Sequence, residues 1–159
     1  MIHLIVSITD QSLSVFDGKD LIQRLTISTA LNGPGQQKNS GCTPLGLHII
    51  RAKIGEGYPE NAVFRGRRFT GEIYSSALSD QFPRRDWILT RILWLSGLEK
   101  GVNRLGDVDT MQRYIYIHGT PDSEPMGVAR SHGCIRMRNK DLLWLFSRVP
   151  VGTKILIKD

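Results

Sequence analysis

The first thirty residues constrain the fold more than any other stretch. Short apolar runs at residues 4–8, 13–16 and 21–29 follow one another, separated by Asp10-Gln11-Ser12 and Asp17-Gly18. Brief apolar runs between polar turns read as strands, and Asp-Gly is a hairpin signal. An antiparallel meander is therefore expected at the start. Residues 32–41 form a polar loop rich in breakers, and Thr43-Pro44-Leu45-Gly46 leads into a strand over 47–54. Residues 55–86 lack periodicity and are punctuated by glycine and proline, so long loops are predicted there, with a short strand near 71–74. Residues 87–95 fit both a helical stripe and strand alternation. Tyr114-Ile115-Tyr116-Ile117 reads as a strand that delivers the chain to His118-Gly119. One helix is predicted, with Asn139 as N-cap, Asp141 in the first turn, Leu142, Leu143, Leu145 and Phe146 on the buried face, and Pro150 as its stop. Residues 153–157 close the chain as a strand. The inventory is mainly β with one main helix.

A chain of 159 residues fits one domain spanning 1–159. The net charge is +6, but the basic residues are scattered in pairs such as Arg67-Arg68 and Arg84-Arg85. That pattern fits a solvated surface or a small acidic substrate. Nucleic acid is not expected as a partner, because no binding motif is present and aromatics are not interleaved with the arginines. The two cysteines, Cys42 and Cys134, are expected to be free thiols. The opening residues lack the basic region and apolar length of a signal peptide. No stretch approaches the roughly 20 apolar residues of a membrane span. The expectation is a protein with no membrane partner and a cytoplasmic location, or a periplasmic one if a leader has been removed.

The chemistry concentrates in Ser131-His132-Gly133-Cys134, with His118 sixteen residues before the cysteine. A thiol attacks as thiolate, so Cys134 needs a base, a cation or aimed N–H groups. His132, His118, Arg130 and Arg136 are all near in sequence. His132 stands too close along the chain to be the obvious partner. His118, on a separate segment, is assigned as general base and later acid. His132 is left to shape the pocket or polarise the substrate carbonyl. Gly133 permits a tight turn without a Cβ, and the N–H groups of Gly133 and Cys134 are oxyanion-hole candidates. Zinc on His118, His132 and Cys134 would have three ligands where a structural site takes four, so no metal is expected. Cys42, His3 and His48 read as structural. A basic binding module with an inert thiol is the alternative of a different class.

Tyr116-Ile117-His118-Gly119-Thr120, followed by Ser131-His132-Gly133-Cys134-Ile135-Arg136-Met137, resembles the L,D-transpeptidase catalytic domain, also called the YkuD domain. Ile27-Ser28-Thr29-Ala30 and Thr43-Pro44-Leu45-Gly46 resemble two further stretches of that family, with Ala30 where glycine is usual. The resemblance implies a sandwich of mixed sheets around a helix, and strand for residues 87–95. It implies a cysteine enzyme that needs no cofactor and acts on peptidoglycan stem peptides or muropeptides. Cys134 would attack the carbonyl of the third stem residue, usually meso-diaminopimelate, and expel terminal D-alanine. Gly119 would orient His118 through its carbonyl, and His132, Gly133 and Cys134 would form the oxyanion region, with Ser131 in support. Arg136 would support the site or meet a substrate carboxylate. The thioester would pass to water, as in an L,D-carboxypeptidase of wall recycling, or to an amine, as in a cross-linking transpeptidase. Hydrolysis is the expectation, because the chain shows no export signal.

Overall fold

The computed structural model describes all residues from Met1 to Asp159. The opening meander forms as β1 (Ile2–Ser7), β2 (Ser12–Asp17) and β3 (Asp20–Ser28). Antiparallel pairing joins β1 to β2 and β2 to β3. β4 (Gly46–Ile54) lies antiparallel to the last strand, β10 (Lys154–Lys158), which also pairs in parallel with β1. The remaining strands are β5 (Ala62–Arg65), β6 (Arg68–Ile73), β7 (Ile88–Gly97), β8 (Tyr116–Gly119) and β9 (Ile135–Met137). The order is β4-β10-β1-β2-β3-β9-β8-β7-β5-β6, and β4 also pairs with β7. Eight strands thus close a hydrogen-bonded circuit, with the β5–β6 hairpin outside it. The two layers of the sandwich are continuous around this circuit.

α2 (Asn139–Phe146) packs one face against the core. Its Leu142, Leu145 and Phe146 join Leu4, Leu13, Ile27, Ile50, Leu93 and Ile117 in the main core. Leu143, expected on the buried face, is only half-buried. The N-cap is Arg138, and Asn139 is the first helical residue. Asn139 does not cap because its side chain is committed elsewhere. Its amide donates to Thr120 O at 2.9 Å and its Oδ1 accepts from Thr90 Oγ1 at 2.6 Å.

Two other expectations change, and an ambiguity is resolved. Residues 55–86 hold the β5–β6 hairpin and a short helix, α1 (Ser76–Gln81), capped by the Ser75 hydroxyl on Leu78 N–H. The hairpin escapes a Gly-Pro reading because its two-residue turn is Gly66-Arg67, both at positive φ (56° and 63°), as a primed turn requires. The predicted strand at 114–117 begins at Tyr116 and runs through His118 and Gly119. Tyr114 sits at φ 56°, outside extended backbone. Residues 87–95 are strand, as the resemblance implied, and their helical look has a cause. The register against β8 shifts between Leu89 and Ile92, with Thr90 at φ 76°. A bulge converts a two-residue step into three, which mimics helical spacing.

His48 shows how the interior treats a titratable group. It is fully buried in β4, with Nδ1 2.9 Å from Gly46 O and Nε2 2.9 Å from Thr110 Oγ1. Burial, the largest influence, pulls its pKa from 6.5 down to about 4 against the Gly46 carbonyl and Glu99. Between these two values the unfolded chain binds a proton that the folded chain refuses. Stability is therefore complete above the unfolded value and falls as pH drops toward 4. Denaturant titration should show wild type losing about 3 kcal/mol more than His48→Gln between pH 7 and pH 4.

Candidate active site

The site follows from the register of two short parallel strands. Ile117 lies beside Ile135, His118 beside Arg136 and Gly119 beside Met137. Side chains alternate across a sheet. Ile117, Ile135 and Met137 point into the main core. His118 and Arg136 therefore face the opposite way, together with Tyr116 and Cys134 one step earlier. All four line one cleft of about 460 Å³, with Arg67, Asp86, Arg113, Ser131 and His132 completing its wall.

Cys134 Sγ accepts from Tyr116 N–H at 3.3 Å and donates to Tyr114 O at 3.4 Å. Burial pushes its pKa up to about 12, beyond what the Tyr116 N–H, Arg136 and Arg113 pull back. His118 is buried, which lowers its pKa first of all, with Asp86 and the Gly119 carbonyl working against that. The resting pair near neutral pH is thus a thiol and a neutral imidazole. The surroundings alone therefore do not favour the thiolate in the resting site. The cations are present, but desolvation of the sulfur outweighs them. His118 Nδ1 lies 2.6 Å from Gly119 O. A carbonyl only accepts, so Nδ1 carries the proton and Nε2 keeps its lone pair. No hydrogen bond joins His118 to Cys134 at rest, and such contacts tighten when substrate binds.

The Ser131–Cys134 turn is clamped from both sides. Ser131 Oγ donates to the Cys134 carbonyl and accepts from Gly133 N–H at 3.2 Å. Thr43 Oγ1 donates to Gly133 O at 2.8 Å and accepts from Ala30 N–H at 3.0 Å. Gly133 sits at φ 134°, which favours glycine. Its N–H is spent on Ser131, whereas the Cys134 N–H donates to no protein acceptor. Of the two expected oxyanion donors, only that of Cys134 stands free.

Asp86 organises the rim, and sequence reasoning missed it because it lies in a segment without a motif. Its Oδ1 is 3.2 Å from Arg136 Nη2 and its Oδ2 3.4 Å from His132 Nδ1. Burial works to raise its carboxyl, but His118, Arg136 and His132 together hold it below the ordinary value. Arg136 is nearly buried and also faces Glu124 Oε2 at 3.9 Å. It braces Asp86, and its charge is already matched within the protein. His132 is mostly exposed on the rim. Arg113 donates to Cys42 O at 2.7 Å and to Gly35 O and Gln36 O at 3.2 Å, which fastens the polar loop to the cleft wall. Cys42 is a free thiol. No group of three or more His, Cys, Asp or Glu side chains is placed to hold a metal ion.

The L,D-transpeptidase catalytic domain, YkuD, matches residues 2–157. The chain belongs to this family. Over 152 residues it is 22% identical to the putative L,D-transpeptidase YciB of Bacillus subtilis, which covers 96% of this chain and 63% of that one. Closer likeness is local. Probable L,D-transpeptidase YbiS of Escherichia coli is 47% identical over 47 residues, 30% of this chain and 15% of its own. Among solved structures, an L,D-transpeptidase from Mycobacterium smegmatis covers 99% of this chain with a TM-score of 0.58 and 15% identity. LdtMt1 in complex with imipenem covers 99% with a TM-score of 0.59 and 19% identity. This chain spans 58% of each of these two structures. Membership of this family weighs against the inert binding module.

Two measurements test the site. Iodoacetamide should alkylate Cys134 at pH 7 more slowly than an unstructured cysteine of pKa about 8.5. Its rate should keep rising above pH 9, where the unstructured thiol levels off. Gly119→Ala should cost about 1–3 kcal/mol, because a Cβ there collides with Asn139 Oδ1 and the Leu89 carbonyl. Thermal unfolding reads that loss, and a variant as stable as wild type would contradict the packing described.

Proposed function

We propose that this chain acts on peptidoglycan stem peptides, cleaving the bond between the third residue and terminal D-alanine through a thioester on Cys134. The observation that carries this reading is the shared cleft. His118, on β8, and Cys134, just before β9, face the same space, and Arg67 borders it with no carboxylate partner. Stem peptides are rich in carboxylates, which such an arginine suits.

The steps balance on residues of this chain. His118 Nε2 takes the Cys134 thiol proton as sulfur attacks the scissile carbonyl carbon. Negative charge develops on the carbonyl oxygen, and the Cys134 N–H is the free donor beside it. Such a donor is worth about 2.7–4 kcal/mol in the barrier. Collapse breaks the C–N bond, and the leaving amine takes the proton from His118. The thioester remains. Because both resting groups are neutral, substrate binding must bring sulfur and imidazole together before proton transfer. Gly119 O keeps Nδ1 protonated throughout, so that Nε2 alone exchanges the proton.

The second half-reaction decides between carboxypeptidase and transpeptidase. We favour water as the acceptor, giving an L,D-carboxypeptidase. An incoming diaminopimelate amine is held best by an unpaired carboxylate. Asp86, the one acid lining the cleft, already faces Arg136. The deciding experiment incubates the protein with a disaccharide-tetrapeptide and follows product masses. Tripeptide should dominate, and cross-linked dimer as the main product would overturn hydrolysis. A carbapenem should add its mass at Cys134 and fail to do so in Cys134→Ala. An adduct surviving that substitution would remove the cysteine from its role.

A further inference from the structure

Three arginines line the catalytic cleft, and only one has its donors unclaimed by charge or backbone. Arg136 is paired with Asp86. Arg113 is spent on the carbonyls of Gly35, Gln36 and Cys42. Arg67, at the β5–β6 turn, meets no carboxylate within ion-pair distance. It is nevertheless held in place. Its guanidinium lies 4.7 Å from the Trp94 ring centre and 4.8 Å from that of Tyr114. Its Nη1 donates to the Tyr116 hydroxyl at 3.0 Å. An arginine stacked on aromatics keeps its planar fork preorganised, so less entropy is lost when it grips a planar anion.

Tyr116 ties this fork to the chemistry. Its backbone N–H donates to Cys134 Sγ, and its hydroxyl accepts from Arg67. The guanidinium and the sulfur thus line one cleft and are linked through a single residue, on the side open to the part of a substrate beyond the scissile carbonyl. A hydroxyl that accepts from Arg67 keeps its own proton to donate. On the stem-peptide reading above, we infer that Arg67, aided by the Tyr116 hydroxyl, binds the terminal carboxylate of the leaving residue and so restricts cleavage to peptides ending one residue past the scissile bond. This substrate-binding role passes from Arg136, which the sequence resemblance offered, to Arg67.

The test uses three tetrapeptide stems: the free acid, the terminal carboxamide, and a stem amidated on the diaminopimelate side-chain carboxylate instead. Wild type should cleave the terminal acid at least tenfold better in kcat/KM than the terminal amide, and be indifferent to side-chain amidation. Arg67→Asn keeps a residue that tolerates the left-handed backbone of this turn. It should lower kcat/KM for the acid about 10–100-fold, mostly through KM, and leave the terminal amide nearly unchanged. Arg67→Lys keeps the charge without the fork and should recover only part of the loss. Sensitivity to side-chain amidation that vanishes in Arg67→Asn would move the contact to the diaminopimelate carboxylate and overturn the assignment. Equal loss on all stems would do the same, marking a structural role. A wild-type protein that forms no Cys134 adduct with any stem overturns the acyl-transfer reading itself. An adduct formed equally from acid and terminal amide overturns the Arg67 assignment alone.

Discussion

Everything at the site depends on the parallel pairing of Tyr116–Gly119 with Ile135–Met137. Parallel strands cannot be joined by a tight hairpin, so a crossover over residues 120–134 returns the chain to the same end of the sheet. The spacing between His118 and Cys134 is that crossover read along the sequence. A one-residue slip would exchange the two faces, burying Arg136 among leucines and turning Ile135 into the cleft. The turn before β9 is correspondingly fixed: Ser131 and Thr43 hold its polar groups, Ala30 N–H anchors Thr43, and Arg113 holds the neighbouring loop.

The electrostatics show a site at rest. Desolvation governs both Cys134 and His118, each pushed toward its neutral form. Asp86 keeps its charge because it sits between Arg136 and His132. A neutral thiol is less open to stray electrophiles and oxidants, which attack the thiolate. On the proposed mechanism, the energy needed to form the ion pair comes from substrate binding.

What was legible in the sequence was what local pattern records. The opening meander, the late helix and the final strand lie where their apolar spacing put them, and Ser131-His132-Gly133-Cys134 with His118 marked residues that the fold brings to one cleft. Pattern failed where tertiary partners decide. Asn139 has good N-cap chemistry, yet the Thr120 carbonyl and the Thr90 hydroxyl claim its side chain. The β5–β6 hairpin turns on Gly66-Arg67, where an arginine takes the left-handed position that Asn or Gly usually fills. Asp86 carries no local signal, because its meaning comes from Arg136 and His132 far along the chain. The thiol's resting protonation follows from burial, which motif spacing does not encode.

The closed strand circuit has a consequence for how the protein is made. β10 inserts between β1 and β4, joining the beginning of the chain to its middle. β1's outer edge is covered only by β10, so that edge has no partner until residues 154–158 are in place. The catalytic strands complete the circuit through β3 and β7, so they too rest on that final closure. Folding rich in such distant contacts is slow and exposes strand edges while it proceeds. Trimming even a few residues from the 154–158 strand would reopen the barrel-like wall along its length. The expected outcome is aggregation of the nascent chain, well away from the cysteine.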